Sequence, residues 1–356
     1  MLKKRFLPLL SVLIFIFLMV GCAQKTDSSS TDQTKVAKKT ITDMNNKKVV
    51  IPNKIDRIGD SWPAHNEVLV MLGQGNKIVS TILTAKGRPW LYQINPQMKK
   101  AATVFTTADV NIEGLLKTKP DIVFTPTTSK YADKITSVGI PTVQLTFTDF
   151  KGLKKSTQVT GDILGTDARK KADKYNSYLD SKLKMITDIT STIPTAKKPK
   201  VLHINTLSPL TVDGSNSIIN AWIEAAGGVN VASEIKGNMK EASMEQIMKW
   251  NPDIIIVGSD VKDEKTIMNT DSWKKVAAVK NRKVVRNPDG AYMWDRYSAE
   301  EALQIQWAAK LLNPDKFTSL DMVSETRSFY KTFLNYDLTE AEAKLIISGK
   351  PPVKAQ

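Results

Sequence analysis

Three short segments gather the side chains of this sequence best suited to holding a ligand. Residues 59–66 (GDSWPAHN), 86–90 (KGRPW) and 292–297 (YMWDRY) each mix aromatic rings with cationic or polar groups. Rings stack on flat ligands, and guanidinium groups neutralise anions in a planar, bidentate fashion. Trp62, His65, Arg88, Trp90, Tyr292, Trp294 and Arg296 are therefore the candidate ligand contacts, suited to an aromatic, anionic ligand. Each also has an ordinary structural use, since tryptophans fill cores, Asp295 beside Arg296 suits a local ion pair, and Arg88 suits solvent. His203 lies inside an apolar run, VLHIN, and reads as a core histidine, whereas His65 follows Pro63 at the start of a helix.

The rest of the inventory limits the chemistry. His65 and His203 are the only histidines, and Cys22 is the only cysteine. Bare zinc or manganese requires several imidazole, carboxylate or thiolate donors, so a metal carried by this chain should arrive already chelated. There is no G-x-S-x-G elbow, no H-E-x-x-H helix and no phosphate-binding glycine loop. A hydrolase built from a Ser/His/Asp set assembled in space is the rival from another class, and the chain reads as a binding protein rather than an enzyme. Its formal charge is +15, but the lysines are scattered and no basic stripe with interleaved aromatics occurs. That pattern argues against nucleic acid and for a solvated surface attracted to an anionic membrane.

Ligand loops need elements to carry them. Lys3, Lys4 and Arg5 precede an apolar run over residues 6–20 that is too short to span a bilayer comfortably and contains Pro8. This is the layout of an export signal over residues 1–21. Residues 22–39 are Ser-, Thr- and Lys-rich and predict a flexible tether. Beyond them an internal repeat appears: residues 111–124 (NIEGLLKTKPDIVF) and 243–256 (SMEQIMKWNPDIII) share Glu113 with Glu245, Lys117 with Lys249, Pro120 with Pro252, Asp121 with Asp253, and Ile122 with Ile254. Each copy predicts a short helix, a Pro-Asp turn and a buried strand, and two copies predict two similarly built lobes.

Strands are expected near residues 57–58, 78–80, 121–124 and 142–145, and again near 201–204, 254–257 and 284–286, after a hairpin turning at Asn45-Asn46. Helices are expected near 64–72, 129–138, 150–164, 218–226, 243–249 and 299–312. Residues 167–193 begin with a run free of Gly and Pro whose apolar residues recur at three- and four-residue spacing, and predict one long helix. The expected architecture is α/β: two lobes with mainly parallel sheets (residues 40–166 and 194–356) joined by that helix, with the ligand cleft between them. Ligands of such folds bind outside the carboxyl ends of the strands, where the three segments fall.

The residues around Cys22 resemble a lipobox, with Met19 where leucine is usual. From residue 39 onward the chain resembles the substrate-binding proteins of ABC importers for iron-siderophores, haem and vitamin B12. The resemblance rests on the repeat, on AWIEAAGGVNVA at 221–232 and on NPDGAYMWDRYSAEEALQIQWAAKLLNP at 287–314. It implies a lipid-anchored, extracytoplasmic and monomeric protein without an intrinsic cofactor, which delivers ligand to a permease and through it to the ATPase. Glu113 and Glu245 match the carboxylates that dock onto permease arginines; their places in first helical turns also suit the helix dipole. The implied cargo is a metal chelate, first a ferric siderophore, then haem with His65, Met293 or Tyr292 as axial ligands, then cobalamin or a nickel chelate. An adhesion or sensor protein on the same fold is the remaining alternative.

Anchoring is directly testable. Cys22→Ala should release the protein from salt-washed membranes into the soluble fraction, because stable attachment requires a multiply acylated residue. A variant as membrane-bound as the parent would contradict the lipobox reading.

Overall fold

The structure is a computed structural model that describes residues 37–353 apart from residue 262. The export signal, Cys22 and nearly all of the tether lie outside these residues. Among the described residues no helix is long and apolar enough to cross a membrane.

The described chain opens with an antiparallel hairpin of β1 (Lys38–Thr42) and β2 (Lys48–Pro52), so strand structure begins just inside the segment read as tether. The first lobe's sheet comprises β3 (Ile58–Asp60), β4 (Ile78–Thr81), β5 (Ala102–Thr103), β6 (Ile122–Pro126) and β7 (Thr142–Leu145), ordered β5-β4-β3-β6-β7. All neighbouring pairs are parallel. The chain winds outward from β3 to β5 and then crosses back to β6, so a crevice opens at the carboxyl ends of β3 and β6.

The second lobe contains β8 (Lys200–Leu207), β9 (Leu210–Val212), β10 (Val229–Asn230), β11 (Lys240–Glu241), β12 (Ile254–Val257) and β13 (Val284–Arg286). The order is β11-β9-β8-β12-β13, with β10 also on β8. The pairs of β8 with β10 and β12, and of β12 with β13, are parallel. The pairs β8–β9 and β9–β11 are antiparallel, a departure from pure alternation. For β8–β9 the cause is the turn at Ser208-Pro209, because a connection this short can join only antiparallel strands.

The repeat has a structural reason. The helices Ile112–Thr118 and Met244–Trp250 are capped by Asn111 and Ser243, and each ends on a left-handed residue, Lys119 (φ 45°) or Asn251 (φ 44°). After the proline, Asp121 donates its N–H to Arg57 O at 2.8 Å while its carboxylate accepts from Arg57 N at 2.9 Å. Asp253 repeats this on Lys200, with both bonds at 2.8 Å. In each lobe the aspartate thus fixes the entry into the central strand, β3 or β8, before the chain continues as a buried strand beside it.

The long helix spans Thr166–Thr190 and is 25 residues long. At 1.5 Å per residue it is roughly 38 Å from end to end. Ala168, Ala172, Tyr175, Leu179 and Ile186 are buried along it. One face packs on the helix Phe150–Leu164, close enough that a side chain at Gly161 would collide with Ala172. The other meets the helix Glu301–Leu312, and the Tyr175 hydroxyl donates to Ala299 O at 2.9 Å. The sequence reading leaves residues beyond 312 unassigned, yet the helices Met322–Phe329 and Glu340–Ile347 return to both lobes. Gln93 Nε2 donates to the Tyr336 hydroxyl at 2.6 Å and to Glu342 at 3.0 Å. The largest apolar cluster consequently runs without a break from Ile58 through Tyr175 to Leu303 and Tyr330.

Within this junction lies a pair of buried acids. Glu67, on the helix His65–Met71, accepts from Ala299 N at 2.8 Å through Oε2, and its buried Oε1 has no partner among the described residues. Glu300 accepts from Tyr292 N at 2.7 Å, from Trp294 Nε1 at 2.9 Å and from the Tyr330 hydroxyl. Burial, reinforced by the neighbouring Glu300 charge, pushes the Glu67 carboxyl well above the usual carboxylate range. Burial likewise raises Glu300 to about 7 against its stabilising hydrogen bonds. The folded protein therefore binds protons here that the unfolded chain has already released, so this stabilisation is complete below the ordinary carboxylate pKa and is lost as pH rises through about 7.

The melting temperature should accordingly fall by on the order of a few degrees between about pH 5.5 and about pH 8. Glu67→Gln keeps an acceptor for Ala299 N and should flatten that slope in a pH series of thermal melts. An unchanged slope would show that Glu67 takes up no proton on folding.

Candidate functional site

Asp60, the last residue of β3, organises the loop that follows. Its Oδ1 accepts from Trp62 N at 3.0 Å and its Oδ2 bonds His65 Nδ1 at 2.9 Å. His65 Nε2 lies 2.9 Å from Thr160 Oγ1, which donates its own proton to Ser156 O at 2.9 Å. Thr160 can then only accept, so Nε2 carries a hydrogen and both ring nitrogens are committed. His65 is 2% exposed, which leaves it no free lone pair for a haem iron, contrary to the axial-ligand expectation. It instead supports Trp62, whose ring lies nearly parallel to it at 6.1 Å.

Trp62 faces the second lobe. Its ring meets Phe147, which follows β7, at 5.6 Å, and Tyr297 at 5.8 Å, while Phe147 and Tyr297 meet edge-on at 5.3 Å. Tyr297 holds a left-handed backbone (φ 64°), unusual for a bulky residue. Such strain persists only where the surroundings enforce it, and it gathers at ligand clamps. Here Tyr297 N donates to Glu301 at 3.1 Å, and its hydroxyl accepts from Asn238 Nδ2 at 2.7 Å. Alongside, Ala64 packs against Tyr292 and Met293. Arg88 reaches across from the first lobe, with Nη1 3.1 Å from Asp289 Oδ1 and its guanidinium 4.5 Å above the Tyr292 ring. The lobes thus meet along a seam of rings and paired charges. A cavity of about 210 Å³ opens beside it between Lys86–Trp90, Asp289-Gly290 and Gly349–Pro351; Trp62 and Arg296 are not among its walls.

In the second lobe, buried charges stand in a row. His203, on β8, lies between Asp213 Oδ2 (2.7 Å from Nδ1) and Asp295 Oδ2 (2.9 Å from Nε2, at an angle poor for a hydrogen bond). Asp295 in turn receives Arg296 Nη2 at 2.9 Å and Nε at 3.2 Å. Burial disfavours the imidazolium, but the hydrogen bond to Asp213 and the nearby Asp295 carboxylate outweigh it and raise the His203 pKa. Burial would raise Asp295, yet the charges of Arg296 and His203 hold it far below the usual carboxylate range. Asp213 is lowered likewise, mainly by His203 against burial.

The seven sequence-derived contacts therefore separate. Trp62, Arg88 and Tyr292 meet at the seam, and Arg296 sits in the charge row behind it. Trp294 is 0% exposed with Nε1 bonded to Glu300, and Trp90 is 2% exposed with Nε1 donating to Lys350 O at 2.9 Å. Trp294 fills the core, its indole N–H turned inward to Glu300, whereas Trp90, largely buried, forms part of the wall of the cavity beside the seam. Sequence reasoning missed Phe147, Tyr297, His203 and Asp213. Phe147 and Tyr297 were legible as aromatics just past a strand or within the segment 292–297; His203 and Asp213 carried no sign of their pairing. Glu113 and Glu245 are exposed in the first turns of their helices, and Glu113 also pairs with Lys117 at 2.6 Å.

Comparison with known proteins fits this geometry. The periplasmic binding protein family matches residues 63–291, more than half of the chain. The chain belongs to that family. It is 27% identical to the molybdate-binding protein MolA of Haemophilus influenzae, over 86% of this chain and 93% of that protein. It is 28% identical to an uncharacterised ABC transporter substrate-binding lipoprotein of Bacillus subtilis, YvrC, over 79% of this chain and 89% of that one. A periplasmic solute-binding protein from Veillonella parvula superposes with a TM-score of 0.75 at 29% identity, covering 87% and 97% of the two chains. This member is accordingly the extracytoplasmic substrate-binding component of an ABC importer, a carrier of transported ligand with no catalytic role and no intrinsic cofactor.

Proposed function

We propose that this binding protein is anchored by lipid at Cys22 and captures a compact anion, an oxyanion of the molybdate kind, between its lobes. The observation that carries the reading is the seam itself. Arg88 lies over Tyr292 at the seam of Trp62, Phe147 and Tyr297, and a second guanidinium group, Arg296, stands in the charge row just behind it. Arg88 bonds Asp289 through Nη1 alone, and Arg296 commits Nε and Nη2 to Asp295, so each keeps donors unspent on any described residue. A small anion needs only a slight parting of the seam, whereas the ferric siderophore first expected from the sequence needs a wide one. Similarity to a molybdate-binding protein along nearly its whole length supports the same choice.

Calorimetric titration of the detergent-solubilised chain with molybdate should give one site per molecule. Arg88→Ala and Arg296→Ala, checked for folding by thermal melts, should each weaken it by at least about tenfold, the cost of losing a buried charge partner. Binding of haem or a ferric catecholate in place of molybdate would overturn the compact-anion reading.

Delivery rests on Glu113 and Glu245 as permease-docking carboxylates, supported by their exposure and by their equivalent places in the two lobes. Reversing both to Lys should abolish uptake in cells while leaving ligand affinity within about twofold, since exposed rim charges act on encounter rather than on a distant site. Affinity lost in step with uptake would make them supports of the lobes instead.

A further inference from the structure

We propose that His203 is a specificity-determining residue: its imidazolium balances Asp295 from behind and so leaves the charge of Arg296 available to an anion in the cleft. The inference rests on the anion-binding reading above and adds to it the group that makes the cleft electropositive. Arg296 alone is a poor anion receptor, because Asp295 holds it through two hydrogen bonds in a buried setting. An approaching anion would meet a neutral pair. His203 changes the balance because Asp295 Oδ2 is shared, lying 2.9 Å from both His203 Nε2 and Arg296 Nη2. Asp213 fixes the other ring nitrogen at 2.7 Å and is itself fixed by Asn205 Nδ2 at 2.6 Å and Met239 N at 2.9 Å.

The row therefore alternates in sign, Asp213 to His203 to Asp295 to Arg296, with its positive end at the seam. With His203 charged the four groups sum to zero and the anion sees the near guanidinium. With His203 neutral they sum to minus one, and two buried carboxylates oppose the anion.

His203 is fully buried and enclosed by a small set of groups. Asp213 faces it from beyond β9, and Asp295 with Arg296 from the loop before the helix Glu301–Leu312. The uncharged Trp222 ring lies at 5.9 Å, and Ile256 is its register neighbour on β12. Tyr297 and Glu301 are the next titratable groups, acting on Asp213 and Asp295 rather than on the imidazole. Both aspartates raise the imidazole's proton affinity over the opposing effect of burial. Anion affinity should thus be high below the folded His203 pKa and lost as pH rises through it.

The test is the pH dependence of molybdate affinity in the full chain, from about pH 6 to about pH 9, beside an NMR titration of the His203 ring. We expect affinity to weaken by about tenfold or more across the imidazole midpoint, with a proton taken up on binding above it. Asp213→Asn should move both midpoints to lower pH together, an effect that a purely structural support would not produce. His203→Gln should bind weakly at every pH, and if it fails to fold the pH profile of the unaltered protein still decides. Molybdate binding with a flat pH profile, or a midpoint that Asp213→Asn leaves in place, overturns the role of His203 alone. No molybdate binding at any pH overturns the compact-anion reading beneath it.

Discussion

An unbroken apolar core running from the first lobe, along the helix Thr166–Thr190, into the second is the constraint on which everything else in this protein depends. A hinge made of loops would let two sheets swing freely. Here one helix lies against both lobes, and the C-terminal helices return to tie them again through Gln93 and Trp90. The carboxyl ends of the two sheets are thereby held facing each other, and the contacts left to make and break are those of the seam. Parting it exposes three aromatic rings and separates Arg88 from Asp289, a modest loss that a ligand with better contacts can replace.

The polar groups buried around this core divide by task. Glu67 and Glu300 lie where the lobes join, and burial raises both carboxyls, which lowers the cost of keeping them in a water-free setting. Asp213, Asp295 and Arg296 are held charged and the His203 pKa is raised, because each has an opposite partner close by. A protein that kept such a row for stability alone would gain little from it, since well-packed apolar residues would serve as well. Its Arg296 end lies next to the seam, where the proposed anion site would use it.

Much of the architecture could be read from the sequence, for identifiable reasons. Continuous β-branched runs at Ile122–Pro126 and Ile254–Val257 announced buried parallel strands, and the repeat around Asp121 and Asp253 announced two lobes because each needs the same aspartate to start its central strand. The β8–β9 hairpin and the C-terminal helices were not legible: the first depends on one tight turn, and the second on packing against the long helix. The site was legible only by location. Residue type and loop position could not tell Trp62, which faces the other lobe, from Trp294, whose indole N–H turns inward to Glu300. Nor could they show that His65 and His203, alike in sequence, would each be held on both sides by different partners.

The central claim is that the ligand of this importer component lies in the seam between the lobes. Crystals grown with tungstate, a heavier molybdate analogue, and measured at the tungsten absorption edge would test it most directly. One anomalous peak between the lobes, with oxygens about 3 Å from Arg88 or Arg296 nitrogens, is the expected result. A peak only on the outer surface, with Trp62, Phe147 and Tyr297 still in contact, would contradict it.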